Sequence, residues 1–228
     1  MGGNFKLLGV EFDPKLLIHD AARTAVHECS WKLKTQLRTQ RFFTTRELVR
    51  NYKAHILSYL EYRTAGISHA ASSVLAPVDQ IQARFLEALG IPILDALLHF
   101  NLAPLATRRD MANLGIIHRA VLGKGPSVIR PFFLLDPSPP RSAHRRHARQ
   151  LLDPYRDMHR GYLNRSVLGH IVVYNLLPAR VVSETSVKSF QSALASFLKD
   201  VAVSSFEFWH DLFSSRILFL THPLRRYG

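Results

Sequence analysis

Ile18-His-Asp-Ala-Ala-Arg-Thr-Ala-Val-His-Glu-Cys-Ser-Trp-Lys-Leu-Lys-Thr-Gln-Leu-Arg38 is the stretch from which the fold can be read. Ile18, Ala22, Val26, Cys29, Leu33 and Leu37 recur at spacings of three and four, which lines one side of an α-helix with apolar groups. Arg23, His27, Lys34, Arg38 and Arg41 form a second row on a neighbouring face. The pattern predicts a helix over residues 16–40 with an ordered basic flank. Such a flank is either a surface for a polyanion or a solvated face.

Helical signals continue down the chain. Thr44-Thr-Arg-Glu47 fits a capping box, in which Thr44 and Glu47 satisfy free amides reciprocally. The helix it opens carries Leu48, Tyr52, Ile56, Tyr59 and Leu60 inward, with Arg46, Arg50 and Lys53 along another side. A third helix is expected to start with Pro77 in its first turn, to bury Val78, Ile81, Phe85, Leu86 and Leu89, and to stop at Gly90. Residues 93–100 are short and apolar. Pro104 opens a helix through Ala112, Ile116 and Ala120, which Gly123-Lys-Gly-Pro126 ends. Residues 165–177 and 186–203 read as helices, the second with Val187, Phe190, Leu194, Phe197 and Leu198 inward. The aromatics Phe206, Phe208, Trp209, Phe213 and Phe219 are expected to dock as a final helix or hairpin, with base stacking as the alternative.

Asn4-Phe-Lys-Leu-Leu-Gly-Val-Glu-Phe-Asp13 departs from this pattern. Its segment 5–10 is the one convincing strand, and it reads as unpaired, as if cut from something larger. The fold class expected is mainly α, an irregular multi-helix array with one short N-terminal β-strand. Four regions follow: a remnant strand at 1–13, a helical region at 14–133, a Pro/Arg-rich linker at 134–150 and a C-terminal helical region at 151–228.

The 228 residues suit one large or two small domains. Thirty Lys+Arg against 17 Asp+Glu give a net charge of +13, which favours a polyanionic partner. The single cysteine, Cys29, excludes an internal disulfide framework and a Cys-rich zinc module, and points to a reducing compartment, nuclear or cytoplasmic. No apolar run reaches the length of a membrane span, and no signal peptide is read. Lys6 stands where myristoylation wants Ser or Thr. Residues 137–152 hold four arginines, two histidines and no acid, which reads as a mobile basic segment or a solvated loop. Arg145 and Arg146 are its candidate nucleic-acid contacts.

Chemistry is harder to find. No two acids are adjacent, and Glu11 with Asp13 fits a strand-to-helix turn. His144-Arg-Arg-His147 and His27-Glu-Cys29 both lack further ligands at metal-site spacing. Gly123-Lys-Gly-Pro126 lacks the spacing and the following hydroxyl of a P-loop, and no Gly-x-Ser-x-Gly elbow occurs. No catalytic site, metal or cofactor is predicted.

The order of these pieces resembles the C-terminal part of reverse transcriptases from non-LTR (LINE-type) retrotransposons. Phe5-Lys-Leu-Leu-Gly-Val-Glu-Phe-Asp13 is similar to the family's apolar-Leu-Gly segment between catalytic palm and thumb. Lys32-Leu-Lys-Thr-Gln-Leu-Arg38 is similar to the end of the first thumb helix. Leu48-Val-Arg-Asn-Tyr-Lys-Ala-His-Ile-Leu-Ser-Tyr-Leu-Glu-Tyr62 resembles the Tyr-containing helix, Val78-Asp-Gln-Ile-Gln-Ala-Arg-Phe85 the Ile-Gln-x-Arg-Phe helix, and Leu102-Ala-Pro-Leu-Ala-Thr-Arg-Arg-Asp110 the Leu-x-x-Arg-Arg element. The resemblance covers residues 5–122, and no Asp-Asp signature occurs. It implies a fragment without the palm and without polymerase activity of its own.

On this resemblance Leu7, Leu8 and Gly9 correspond to the primer grip. Arg23, Lys34, Arg38, Arg46, Arg50 and Lys53 are the candidate phosphate contacts to a template–primer duplex of RNA or DNA. Arg108 and Arg109 are further candidates, with pairing to Asp110 or a helix terminus as the alternative. Two other readings stay open: a helical interaction protein, and a polymerase part completed by a palm in trans on the exposed strand.

Overall fold

The computed structural model describes residues 5–7, 9–12, 14–15, 18–137, 146–154, 161–204 and 207–227. They are mainly α-helical with one two-stranded sheet, and they divide into two compact units between Leu105 and Ala106. That division falls inside the region 14–133 that the sequence presents as one.

The first unit opens on a hairpin, β1 (Phe5–Leu7) antiparallel to β2 (Val10–Phe12), with Phe5 opposite Phe12 and Leu7 opposite Val10. The expected unpaired strand is thus corrected: the second half of the same segment folds back to pair with the first. Gly9, at φ +80°, takes the left-handed conformation that the turn demands. Phe5 stacks on Phe12 with ring centroids 5.6 Å apart. Val10 is buried with Ile18, Ala21, Ile67, Ala70 and Leu75, which fixes β2 to a small apolar cluster.

Helix α1 (His19–Arg38) follows. Its N-cap, Ile18, has φ 65°, an uncommon conformation for a β-branched residue that burial of its side chain maintains. Helix α2 (Thr45–Tyr52) begins with the predicted capping box: Thr44 Oγ1 accepts from the Glu47 amide, and the Thr44 amide donates to Glu47 Oε2 at 2.8 Å. The same bonds hold the Glu47 carboxyl below its ordinary range, the backbone bond contributing most. A π-helical turn (Lys53–Leu57) passes directly into α3 (Ser58–Ile67).

Helix α4 (Ser72–Ala88) starts a turn earlier than expected, and Pro77 lies inside it rather than in its first turn. The helix tolerates the missing bond to the Ser73 carbonyl, because its buried stripe of Leu75, Val78, Ile81, Phe85 and Leu86 outweighs one lost bond. It ends as predicted: the Gly90 and Ile91 amides donate back to Glu87 and Leu86, the Schellman arrangement. Helix α5 (Ile93–Phe100) completes the unit.

Ala22, Ala25, Cys29 and Leu33 of α1 pack with Leu48, Val49 and Tyr52 of α2, Ile56, and Val78, Ile81 and Phe85 of α4. Tyr52 stacks on Phe85 at 4.2 Å and donates its hydroxyl to Gln82 Oε1, while Gln82 Nε2 donates to the Ala103 carbonyl. A buried polar relay so satisfied fixes the register of α4 without an orphan group. Cys29 is a packing residue, its thiol pushed up to about 11 by burial.

The second unit takes in α6 (Leu105–Val121), α7 (Tyr162–Arg165), α8 (His170–Leu176), α9 (Ala179–Val182) and α10 (Val187–Val203). Gly123, at φ 71°, terminates α6 as its position predicts. Ser186 caps α10 by accepting from the Ser189 amide. The continuous helix expected over 165–177 is broken at Ser166, whose backbone is extended, and resumes at His170; at Gly169, just before it, a Cβ would stand 2.6 Å from the Leu163 carbonyl oxygen.

The aromatic segment is neither helix nor hairpin among the described residues. It forms single 3-10 turns (Trp209–Asp211, Phe219–Thr221, Pro223–Tyr227). Side chains do there what a ladder would do elsewhere: the His222 ring holds the Ser214 carbonyl, and Arg225 donates to the carbonyl of Leu220. Phe213 is buried and Phe208 exposed; Phe206 lies outside the described residues.

The Pro/Arg-rich linker is held by backbone pairing at both its described ends. Leu135 bridges Leu151, the Asp136 amide donates to Gln150, and the Leu152 amide donates to Leu134. Asn175 clamps both backbone groups of Leu151 at 2.8 Å. Residues 138–145 lie outside the description.

Candidate nucleic-acid interface

At 100° per residue, Arg23, His27, Lys34 and Arg38 fall within an arc of about 60° on α1. All four are exposed. Arg23 reaches Asp20 at 3.4 Å across one turn, a surface pair that adds little stability. Arg41 lies past the helix end with its guanidinium 4.7 Å from the centroid of the Phe42 ring. On α2, Arg46 and Arg50 are exposed in the turns that follow the capping box. Among the described residues, no carboxylate lies within ion-pair distance of Lys34, Arg38 or Arg46.

The remaining predicted contacts are placed differently. Lys53 is half-buried and donates its ammonium to the Phe100 carbonyl, which takes it out of the exposed row. Arg109 is 8% exposed and Arg108 half-buried. The pairing of Asp110 is with the buried His170, at 3.0 Å. Leu8 and Arg145 lie outside the described residues. Arg146 donates to the carbonyls of Leu176, Leu224 and Arg225, at 3.1, 2.8 and 3.1 Å. Burial moves its guanidinium down from the usual value. It ties the end of α8 to the segment Pro223–Tyr227 rather than facing a ligand.

This reorders the meaning of the net charge. Residues 1–105 hold 12 Lys+Arg and 9 Asp+Glu, and residues 106–228 hold 18 and 8. The larger excess is divided: Arg146 and Arg149 turn to backbone carbonyls, whereas Arg119, Arg130, Arg180, Arg216, Arg225 and Arg226 are exposed and do not line one helix. Arg149 donates to the carbonyls of Val182 and Glu184, each at 2.6 Å, and Arg119 donates to Lys124. The smaller excess of the first unit is concentrated on α1 and α2, facing solvent. Exposure and row spacing locate the candidate surface; total charge does not.

The buried histidines are core groups. His118 Nε2 donates to the Glu184 carbonyl, so its Nδ1 accepts from the Tyr174 hydroxyl, and the ring stacks on Phe190 at 4.0 Å. Burial pushes it down to about 4. His222 Nε2 donates to Ser214, and its Nδ1 accepts from the Leu224 amide; burial lowers it likewise to about 4. Among the described residues, no three His, Cys, Asp or Glu side chains converge as a metal site, and no helix is long and apolar enough to cross a membrane.

One residue at this surface has no counterpart among the predicted contacts. Trp31 of α1 is 66% exposed, between His27 and Lys34 along the helix and beside the basic row. Its position, four after one basic residue and three before the next, is legible in the sequence. No family model, no curated protein and no solved structure matches this chain.

Proposed function

We propose that the first unit binds nucleic acid through the basic rows of α1 and α2, tracking the phosphate backbone of a template–primer duplex without reading its sequence. The observation that carries this reading is the exposed array of Lys34, Arg38 and Arg46, which no carboxylate among the described residues neutralises. Arg23 and Arg50 extend it. Phosphate contacts of this kind release counterions and supply affinity that is independent of sequence. The likeness of residues 5–122 to the thumb region of LINE-type reverse transcriptases fits the same reading. On it the first unit holds a duplex by its backbone.

Fluorescence anisotropy of a labelled RNA–DNA duplex, titrated at several salt concentrations, tests the proposal. Binding with a steep negative dependence of log K on log[salt], equal for unrelated sequences, is expected. A flat dependence, or no binding at low salt, would refute it.

A second reading rests on a different observation. Leu134, Leu135 and Leu152 of the second unit are exposed at the Leu135–Leu151 bridge, as in a helical interaction module. Sedimentation velocity of the full chain at rising concentration distinguishes self-association through this patch from a monomer.

A further inference from the structure

We infer that the C-terminal half of α1 and the corner after it form a stacking surface for unpaired nucleobases, next to the phosphate-tracking rows. The inference rests on the nucleic-acid reading above and adds single-stranded RNA or DNA to it.

Three large aromatics are left in solvent at this end of the unit. Trp31 is 66% exposed, Phe42 68% and Phe43 44%. Large aromatic groups ordinarily bury most of their area, so a group of three in solvent calls for a partner with a π-face or an apolar one. Here the surroundings decide which. The helical neighbours of Trp31 at positions −4, +3 and +7 are His27, Lys34 and Arg38, all exposed, with the exposed Glu28 and Thr35 at −3 and +4. Trp31 therefore flanks the basic row, about 20° beyond Arg38 around the helix, and is not the edge of an apolar face.

The corner repeats the arrangement at shorter range. Gln40–Phe42 forms a 3-10 turn, and Phe43 is extended before the Thr44 cap. The Arg41 guanidinium sits over the Phe42 ring, and Arg46 follows in the first turn of α2. Seven residues separate Trp31 from Arg38, two turns and about 10 Å of helix, so ring and cation share one side of α1. A protein partner would meet a surface rich in unneutralised cations around its apolar contacts. A single strand meets both requirements, with phosphates for Lys34, Arg38 and Arg41 and bases for Trp31 and Phe42. Base–aromatic stacking tolerates any sequence, because every base presents a π-face.

The test compares wild type with Trp31→Ala, Phe42→Ala and the double variant, using a 12-nucleotide oligo(dT) and a blunt-ended duplex of equal charge. Both residues are exposed, so the variants should melt at the wild-type temperature; a Trp31→Phe variant, which keeps a ring, controls for loss of shape. Each alanine is expected to weaken oligo(dT) binding about ten- to hundredfold, with the duplex affinity and the salt slope for both ligands unchanged. Trp31→Phe should recover most of the loss, and oligo(dT) should quench the fluorescence of wild type but much less that of Trp31→Ala.

Equal oligo(dT) affinity across all variants, with duplex binding intact, overturns the stacking surface and leaves the phosphate reading standing. Failure of wild type to bind either ligand overturns both. Concentration-dependent self-association of wild type that the double variant abolishes assigns the patch to protein contact and overturns it as well.

Discussion

Acidification should selectively loosen the second unit, through His118 and His222. Each is held neutral in the fold by burial, with its value lowered from the usual 6.5 to about 4. In the unfolded chain each binds a proton near its ordinary value. Between those limits the unfolded state therefore holds more protons, and stability falls as the pH falls. The full contribution is present above about 6.5, declines through the interval, and is exhausted near 4. At pH 5 the linkage amounts to about 2 kcal/mol for each group, so about 4 kcal/mol for the pair, an order-of-magnitude figure. That is a large part of the marginal stability of a unit this size.

The chain carries its own reporters for this experiment. Trp31 lies in the first unit and Trp209 in the second. In a Trp31→Phe background, Trp209 fluorescence during urea unfolding follows the second unit alone. The midpoint should drop clearly between pH 7.5 and pH 5. His118→Gln replaces the ring with an amide that can still donate to Glu184, and should remove about half of the pH dependence while lowering stability at pH 7.5. Identical midpoints at pH 7.5 and pH 5 would refute the reasoning, as would a His118→Gln variant with the full wild-type slope.

Three further outcomes follow from other contacts. Thr44→Ala removes the capping hydroxyl of α2 and should cost about 1 kcal/mol in urea unfolding of the first unit, with Thr44→Ser close to wild type. Gly169→Ala sets a methyl group against the Leu163 carbonyl and the backbone of Asn164; the second unit should melt several degrees lower, whereas Gly90→Ala, whose added Cβ meets open space, should show only the cost of its left-handed φ. Arg146→Met removes the donor shared by three carbonyls and should destabilise the second unit by about 2 kcal/mol in the same urea assay, leaving the salt slope of nucleic-acid binding unchanged.

The helices of the first unit were legible because each carries its own periodic stripe and end signals. Thr44 with Glu47, and Gly90 after Leu89, mark boundaries by backbone chemistry that acts locally. The hairpin was legible as β structure but not as a pair. The turn at Gly9 leaves only three strand residues on each side, too few for alternation to declare two strands. The turns of the C-terminal aromatic segment and the pairing at the ends of the basic stretch were not legible, for one common reason. Their backbone groups are met outside any helix or long ladder, Ser214 by the His222 ring eight residues on and Leu151 by the distant Asn175 amide, and contacts of that kind leave no periodic trace.

The candidate surface was half visible in the same sense. Spacing identified Arg23, Lys34, Arg38, Arg46 and Arg50, which are exposed. It could not tell that Lys53 turns to the Phe100 carbonyl or that Arg109 is buried, since both depend on chain segments distant in sequence or on tertiary packing. Trp31 escaped because an aromatic among cations reads equally well as a solvated helix face until its exposure is known.

The central claim, that α1 and α2 track phosphates, is tested most directly by neutralising the rows and reading the salt slope. A variant with Lys34, Arg38, Arg46 and Arg50 all changed to Gln keeps helix-forming side chains and should retain the wild-type melting temperature. If each cation neutralises one phosphate, the slope of log K against log[salt] for an RNA–DNA duplex should flatten by about 3 to 4 relative to wild type. A variant that binds the duplex with the wild-type slope would contradict the account.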